Sequence, residues 1–307
     1  MDLVASGLSS APVLGREVLA EDFETVLGSA SAIFACGAAR LGHPVSFFSK
    51  VGDDEYGRFC LDCLKKAGIS TENVASVPTS KTGITISLST RFDRALVTVL
   101  GAIAELRYKD LDLEALPGHS HLHMTSFFLQ TALRPSFPRI LHQARKLGLT
   151  TSFDPNSDPL SSWGPDVWNV VDETTILFIN QEEALHLTRK TNVREALKRL
   201  AEKAPCVVIK LGSRGAIAAS DGQVVSVPPF KVSPLDTTGA GDSFAAGFVH
   251  AFLGGRDLHG CLVEGNACGA LSTLQVGGTA GQPDLASLAK FRRRNSRSLA
   301  TKPSVRR

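Results

Sequence analysis

The stretch Asp236-Thr237-Thr238-Gly239-Ala240-Gly241-Asp242-Ser243-Phe244 runs directly into SFAAGFVHAFLGG (243–255), an apolar segment that reads as a helix. Small residues at 239–241 let successive backbone N–H groups converge on an anion at the positive end of that helix. A carboxylate inside such a loop repels phosphate. Asp242 makes sense there if it accepts the proton of a hydroxyl that attacks the phosphate, the helix dipole favouring its ionised form. Helix capping would account for Asp242 alone, but not for the small residues before it. The segment therefore predicts phosphoryl transfer to an alcohol.

Working outward, short β-branched runs alternate with amphipathic stretches. Strands are expected at 45–52, 121–128, 149–154, 175–180 and 206–212, and helices at 56–68, 134–148, 183–188 and 192–203. This alternation indicates βαβ units and a parallel sheet covered on both faces. ITISLST (84–90) and ALVTVLG (95–101) read as a hairpin that interrupts the series, and so as a separate small sheet. Neither G-x-x-x-x-G-K-[ST] nor a G-x-G-x-x-G after a first strand is present, which disfavours P-loop kinases and dinucleotide oxidoreductases.

The chain has 307 residues, 43% hydrophobic and 21% charged, enough apolar content to fill a core in one large domain or two ordinary ones. No apolar run approaches the ~18 residues of a membrane span and no leader opens the chain, so a soluble cytoplasmic protein without a membrane partner is expected. Net charge is +3, but residues 291–307 hold seven Lys/Arg and no acid, leaving −4 on the rest. Such a body is no nucleic-acid surface, and the tail reads as a disordered, solvated end. Cys60 and Cys63 form a C-x-x-C inside the helical FCLDCLKK, and all six cysteines read as reduced thiols. His119, His121 and His123 alternate and could share a metal. Without a further ligand at recognisable spacing they read as a strand edge.

DTTGAGDSF resembles the C-terminal signature of the ribokinase, or PfkB, carbohydrate kinase family. Further segments match in the family's order: Ala38-Ala39-Arg40-Leu41-Gly42 with Lys50-Val51-Gly52-Asp53-Asp54-Glu55-Tyr56-Gly57, then Thr82-Gly83, Asp154-Pro155-Asn156, Asn180-Gln181-Glu182-Glu183 and Lys210-Leu211-Gly212-Ser213-Arg214-Gly215. The resemblance covers Asp2 to about Lys290. It implies a three-layer ribokinase-like α/β fold, with a central mostly parallel sheet and a small β-sheet lid from about 4–28 and 76–105. The kinase domain would span 1–290 and the tail 291–307.

The implied activity is ATP-dependent phosphorylation of a hydroxyl, a primary alcohol of a sugar or sugar-like molecule. Asp242 would be the general base, and the backbone at Gly239, Ala240 and Gly241 the anion hole. Asn180 and Glu183 would hold Mg²⁺ largely through water, while Lys210, Gly212 and Gly215 would line the ATP. Asp236 and Thr238, with backbone from Ser272, Gly277 and Gly281, fall where many relatives bind a monovalent cation such as K⁺. Asp2, Gly28, Ser29 and Asp242 would bind the acceptor, and a homodimer would form through the lid.

Departures from the family pattern point to altered substrate recognition. The family opens with a strand ending in the acceptor-binding Asp, whereas this sequence begins at that Asp. A strand of about 5–6 residues is absent, as a truncation or a misplaced start would leave it. Gly28-Ser29 replaces a Gly-Gly pair, Ile33 replaces a sugar-binding Asn, and Asp158 replaces an Arg. Together with Phe127 and Phe128 these changes argue against a plain fructose or ribose pocket. A nucleoside kinase using either Phe against a base is the alternative, and a non-catalytic binding protein of the same fold a more distant one.

Overall fold

In the computed structural model, which describes residues 1–90 and 94–295, strand β1 (Asp2–Leu8) pairs with β2 (Asp22–Val26) ahead of helix α1 (Ala30–Arg40). Strands β3 (Ser49–Gly52) and β4 (Val74–Val77) flank α2 (Glu55–Lys66), and β5 (Ile84–Thr90) and β6 (Arg94–Val99) follow as a hairpin. The series continues with β7 (His121–Thr125), α3 (Phe137–Lys146), β8 (Thr150–Asp154), α4 (Asp166–Val171), β9 (Ile176–Asn180), α5 (Gln181–Thr188), α6 (Val193–Ala201) and β10 (Cys206–Lys210). A hairpin of β11 (Ala216–Ser220) and β12 (Gln223–Val227) leads to α7 (Ala240–Leu253), α8 (Leu258–Ser272) and α9 (Leu285–Asn295).

The central sheet has the order β12-β11-β10-β9-β8-β7, with β7 to β10 parallel and the β11–β12 hairpin antiparallel. Successive side chains leave opposite faces of a strand, so each run of Val, Ile and Phe feeds two cores. Leu177, Ile179, Val207 and Ile209 join the core that holds residues of α3 to α6, whereas Ile176, Phe178 and Val208 join the one that holds residues of α1, α7 and α8. These are the expected three layers. The lid is a separate sheet of order β2-β1-β5-β6, and it contains the expected 84–101 hairpin.

Asp54 ties the lid to the body. It caps α2 by accepting Gly57 N–H at 2.8 Å, and it also accepts the N–H and hydroxyl of Thr82 at 2.8 and 2.6 Å, just before β5.

Several expectations need correction. The strand expected over 121–128 stops at Thr125, because Ser126 adopts φ 57° and turns the chain. Phe127 and Phe128 consequently point into the core, where Phe127 meets Phe137 and Phe153 edge to face. Neither borders the large cavity described below, so the stacking role considered for a nucleoside base has no geometric basis. The basic segment begins as helix: α9 runs to Asn295, Phe291 packs on Phe230, and Arg292 pairs with Glu264. The rest of that segment, 296–307, lies outside the described residues. All six cysteines are free thiols, and Cys60 sits in a buried cluster with Cys36 and Met1.

Candidate active site

Asp154, Asn180 and Lys210 are the last residues of β8, β9 and β10. Phe153, Ile179 and Ile209 turn to the α3–α6 side, so strand alternation sends the three polar side chains to the side of α7. Ser152 lies opposite Ile176 in the register, and Lys210 opposite Asn180, so Asp154 stops two residues short of the other two. Lys210 spans that step of about 7 Å with its long side chain and pairs with the buried Asp154 carboxylate. The first turn of α7 crosses directly above this ammonium: a Cβ on Gly241 would sit 3.1 Å from Lys210 Nζ.

Asp242, in the first turn of α7, is 9% exposed. Burial pushes its pKa up to about 7; Asp154, Glu183 and Asp2 add to the rise and Lys210 opposes it. This reverses the expectation from the helix dipole, because loss of hydration outweighs it. Burial and Asp154 push Glu183 up to about 7 as well, again against Lys210. Burial alone would lower Lys210, but Asp154, Glu183 and Asp242 hold its pKa above the ordinary value. One ammonium therefore faces three buried carboxylates, and among the described residues no group of three or more His, Cys, Asp or Glu is placed to hold a bare metal ion.

Asn180 and Glu183 start α5 as a capping box, Asn180 Oδ1 accepting Glu183 N–H and Glu183 Oε2 accepting Asn180 N–H, both at 2.9 Å. This bonding fixes Glu183 Oε2 at the helix start, while Oε1 accepts the Ser157 hydroxyl at 3.4 Å. Gly212 (φ 59°) and Gly215 (φ 87°) form the turn after β10, and a Cβ on Gly215 would lie 2.1 Å from the Val227 carbonyl.

The anion loop rests on α1. Gly239 has φ 69°, and a Cβ there would sit 2.8 Å from Ile33 Cγ2. Ile33 thus supports the loop from below, and Gln282 joins the two elements by donating to Ile33 O at 2.8 Å and Ser243 Oγ at 3.0 Å. Asp236 Oδ1 accepts the N–H and hydroxyl of Thr238, each at 2.8 Å, and Oδ2 accepts Gly277 N–H at 2.9 Å. Arg94 reaches this group from the lid, donating to Thr238 Oγ1 at 2.5 Å with its Nη1 3.8 Å from Asp236 Oδ1. Nothing local in the sequence marks Arg94, because its partners lie across the fold.

Asp242, Thr238, Gly239, Ile33, Ser29 and Asp2 border one cavity of about 1340 Å³ beneath the lid. Asp2 packs on Gly28 so closely that a Cβ at 28 would fall 1.9 Å from Asp2 Oδ1, and Ser29 opens α1 at φ 74°. Asn156 also borders the cavity, and its Oδ1 accepts Ser126 N–H at 2.8 Å and Thr125 Oγ1–H at 2.5 Å. Asp158 lies elsewhere: it accepts the N–H groups of Leu160, Ser162 and Trp163 and holds a local turn. His121 bonds Thr150 and Ser152, and His123 bonds Ser152 and stacks on Phe34 with ring centres 3.7 Å apart.

Comparison with known proteins agrees with this architecture. Residues 5–285 match the pfkB family carbohydrate kinase. The ribokinase of Bacillus subtilis is 30% identical over 284 residues, covering 92% of this chain and 93% of the relative. The 2-dehydro-3-deoxygluconokinase of the same organism is 32% identical over 286 residues, covering 88% and 87%. An E. coli protein assigned as a ribokinase II, solved with ATP and Mg²⁺, superposes at a TM-score of 0.85 with 25% identity, covering 95% of this chain and 96% of that one. The chain belongs to the pfkB family of carbohydrate kinases.

Proposed function

We propose that this protein transfers the γ-phosphoryl group of ATP to a hydroxyl, a primary alcohol, of a sugar or sugar-like molecule held in the cavity beneath the lid. The observation that carries this reading is Asp242: a buried carboxylate in the first turn of α7, after a glycine loop and facing the same cavity as Asp2. Asp2 and Asp242 hold the acceptor hydroxyl. Its oxygen bonds to the γ-phosphorus as the bond to the ADP oxygen breaks, and its proton passes to the Asp242 carboxylate. Backbone N–H groups of Gly239, Gly241 and Asp242 would face the charge that builds on the transferring group, whereas the expected Ala240 N–H donates instead to the Thr237 carbonyl at 3.2 Å.

Asp154, Asn180 and Glu183 would hold a Mg²⁺ ion through its water, and the ion supplies neutralisation of phosphate charge. The Lys210–Gly215 turn would border the nucleotide. A cytoplasmic setting suits six free thiols and a need for ATP. A homodimer through the lid suits the exposure of every residue of β6, where Leu96, Val97 and Val99 are each more than half exposed. Turnover of ATP against a panel of sugars, sugar acids, polyols and nucleosides tests the reading. Acceptor-dependent ADP release with at least one sugar-like alcohol is expected; turnover confined to nucleosides would transfer the assignment to the alternative.

A further inference from the structure

We infer that the guanidinium of Arg94, carried by the lid, is the cation of the anion loop, standing where a monovalent metal ion would otherwise balance Asp236. The inference rests on the kinase reading above. Arg94 is the first residue of β6, and its Nη1 spans from the lid to Thr238 Oγ1 at 2.5 Å and Asp236 Oδ1 at 3.8 Å. The residues expected to hold K⁺ fit it poorly. A carboxylate offers about four acceptor positions. Oδ1 of Asp236 meets Thr238 N–H, Thr238 Oγ1–H and the Arg94 charge together, while Oδ2 accepts Gly277 N–H. The neighbouring oxygens are engaged too: the Thr273 carbonyl accepts Leu235 N–H and Asp236 N–H, and the buried Ser272 hydroxyl donates to Gly269 O at 2.9 Å. A bare ion needs several oxygens with lone pairs aimed at one centre, and the carboxylate oxygen that would anchor it, Asp236 Oδ1, already faces two donors of Thr238 and the Arg94 guanidinium.

The placement also has a purpose. Asp236 stands at the entrance of a loop that must receive phosphate, and its charge would repel that phosphate if left unbalanced. Arg94 balances it from the same sheet that carries Asp2, since β1 and β6 both pair with β5. Acceptor carboxylate and loop cation thus ride on one lid.

The test compares wild type, Arg94→Gln and Arg94→Lys in potassium, sodium and tetramethylammonium chloride at one ionic strength. Kinetics use the best acceptor from the panel, and thermal melting of the unliganded proteins is followed in the same salts. Wild-type kcat should agree across salts to about twofold. Arg94→Gln should lose roughly tenfold to a hundredfold in tetramethylammonium and recover part of it in potassium, with Arg94→Lys less affected. Wild-type melting should ignore potassium. A wild type activated tenfold or more by potassium, or Arg94→Gln with unchanged kcat, overturns the inference and leaves the kinase reading intact. Should Arg94→Gln not fold, Arg94→Lys and the wild-type salt series decide. Should no acceptor turn over, the kinase reading falls, and a potassium-specific rise in wild-type melting temperature still overturns the inference.

Discussion

Replacing Asp242 with Asn should lower activity and raise stability together. A carboxyl that ionises near 3.8 in the unfolded chain and at about 7 when folded weakens the fold by about 4 kcal/mol above pH 7. Below pH 3.8 it is protonated in both states and the penalty vanishes. Between pH 4 and 7 the unfolded chain ionises while the folded one does not, so stability falls as pH rises and levels off above 7. Asn keeps the shape without the charge. If half the penalty is recovered, about 2 kcal/mol, the melting temperature at pH 8 should rise by ~3 °C, with the gain shrinking toward zero at pH 4. General-base assistance is worth ~10²–10⁴ in rate, and kcat should fall by that factor while ATP binding persists. Scanning calorimetry of unliganded protein across pH 4–8, paired with steady-state turnover, measures both. An Asn variant that melts no higher than wild type at pH 8 refutes the electrostatic argument, and one with near-normal kcat refutes the base assignment.

Glu183→Gln retains an oxygen for the Asn180 N–H cap but loses the charge, so it should raise the Mg²⁺ requirement more than the acceptor KM. Equal effects in a magnesium titration, or none, would remove Glu183 from the site. Asp54→Ala deletes the α2 cap and both Thr82 bonds, and should cost ~1–3 kcal/mol by urea unfolding. Amide exchange at Thr82 should quicken; unchanged protection there would mean that Asp54 does not anchor the lid. Phe127→Ala empties a fully buried site and should cost ~3–5 kcal/mol while the folded fraction keeps its acceptor KM, and a raised KM would restore Phe127 to the substrate wall.

Local chemistry explains what the sequence discloses. The strands after 175 and 206 start within a residue of their expected positions, because ILFI and CVVI are the unbroken apolar runs that buried parallel strands need. The β11–β12 hairpin was open to the same reading: Asp221-Gly222, at φ 48° and 74°, is a tight-turn pair between two short apolar runs. The lid cation and the support under Gly239 were not, since Arg94 and Ile33 meet the loop only through tertiary packing. Lys210 shows the boundary between the two. Its position at a strand end is readable, but its attachment to Asp154 depends on the offset between β8 and β9, which no residue on either strand encodes alone.

That offset bears on which changes of length the chain can absorb. Thr125, Asp154, Asn180 and Lys210 each close a strand of five residues. One codon inserted into or deleted from β10 would rotate its end by half a pleat, presenting Ile209 or Leu211 to Asp154 and sending Lys210 toward the opposite core. A codon added at Asp221-Gly222 would lengthen a surface turn and leave the four strand ends in place. Substitutions inside these strands that keep the apolar alternation are therefore tolerable, while insertions and deletions belong in the connections between them.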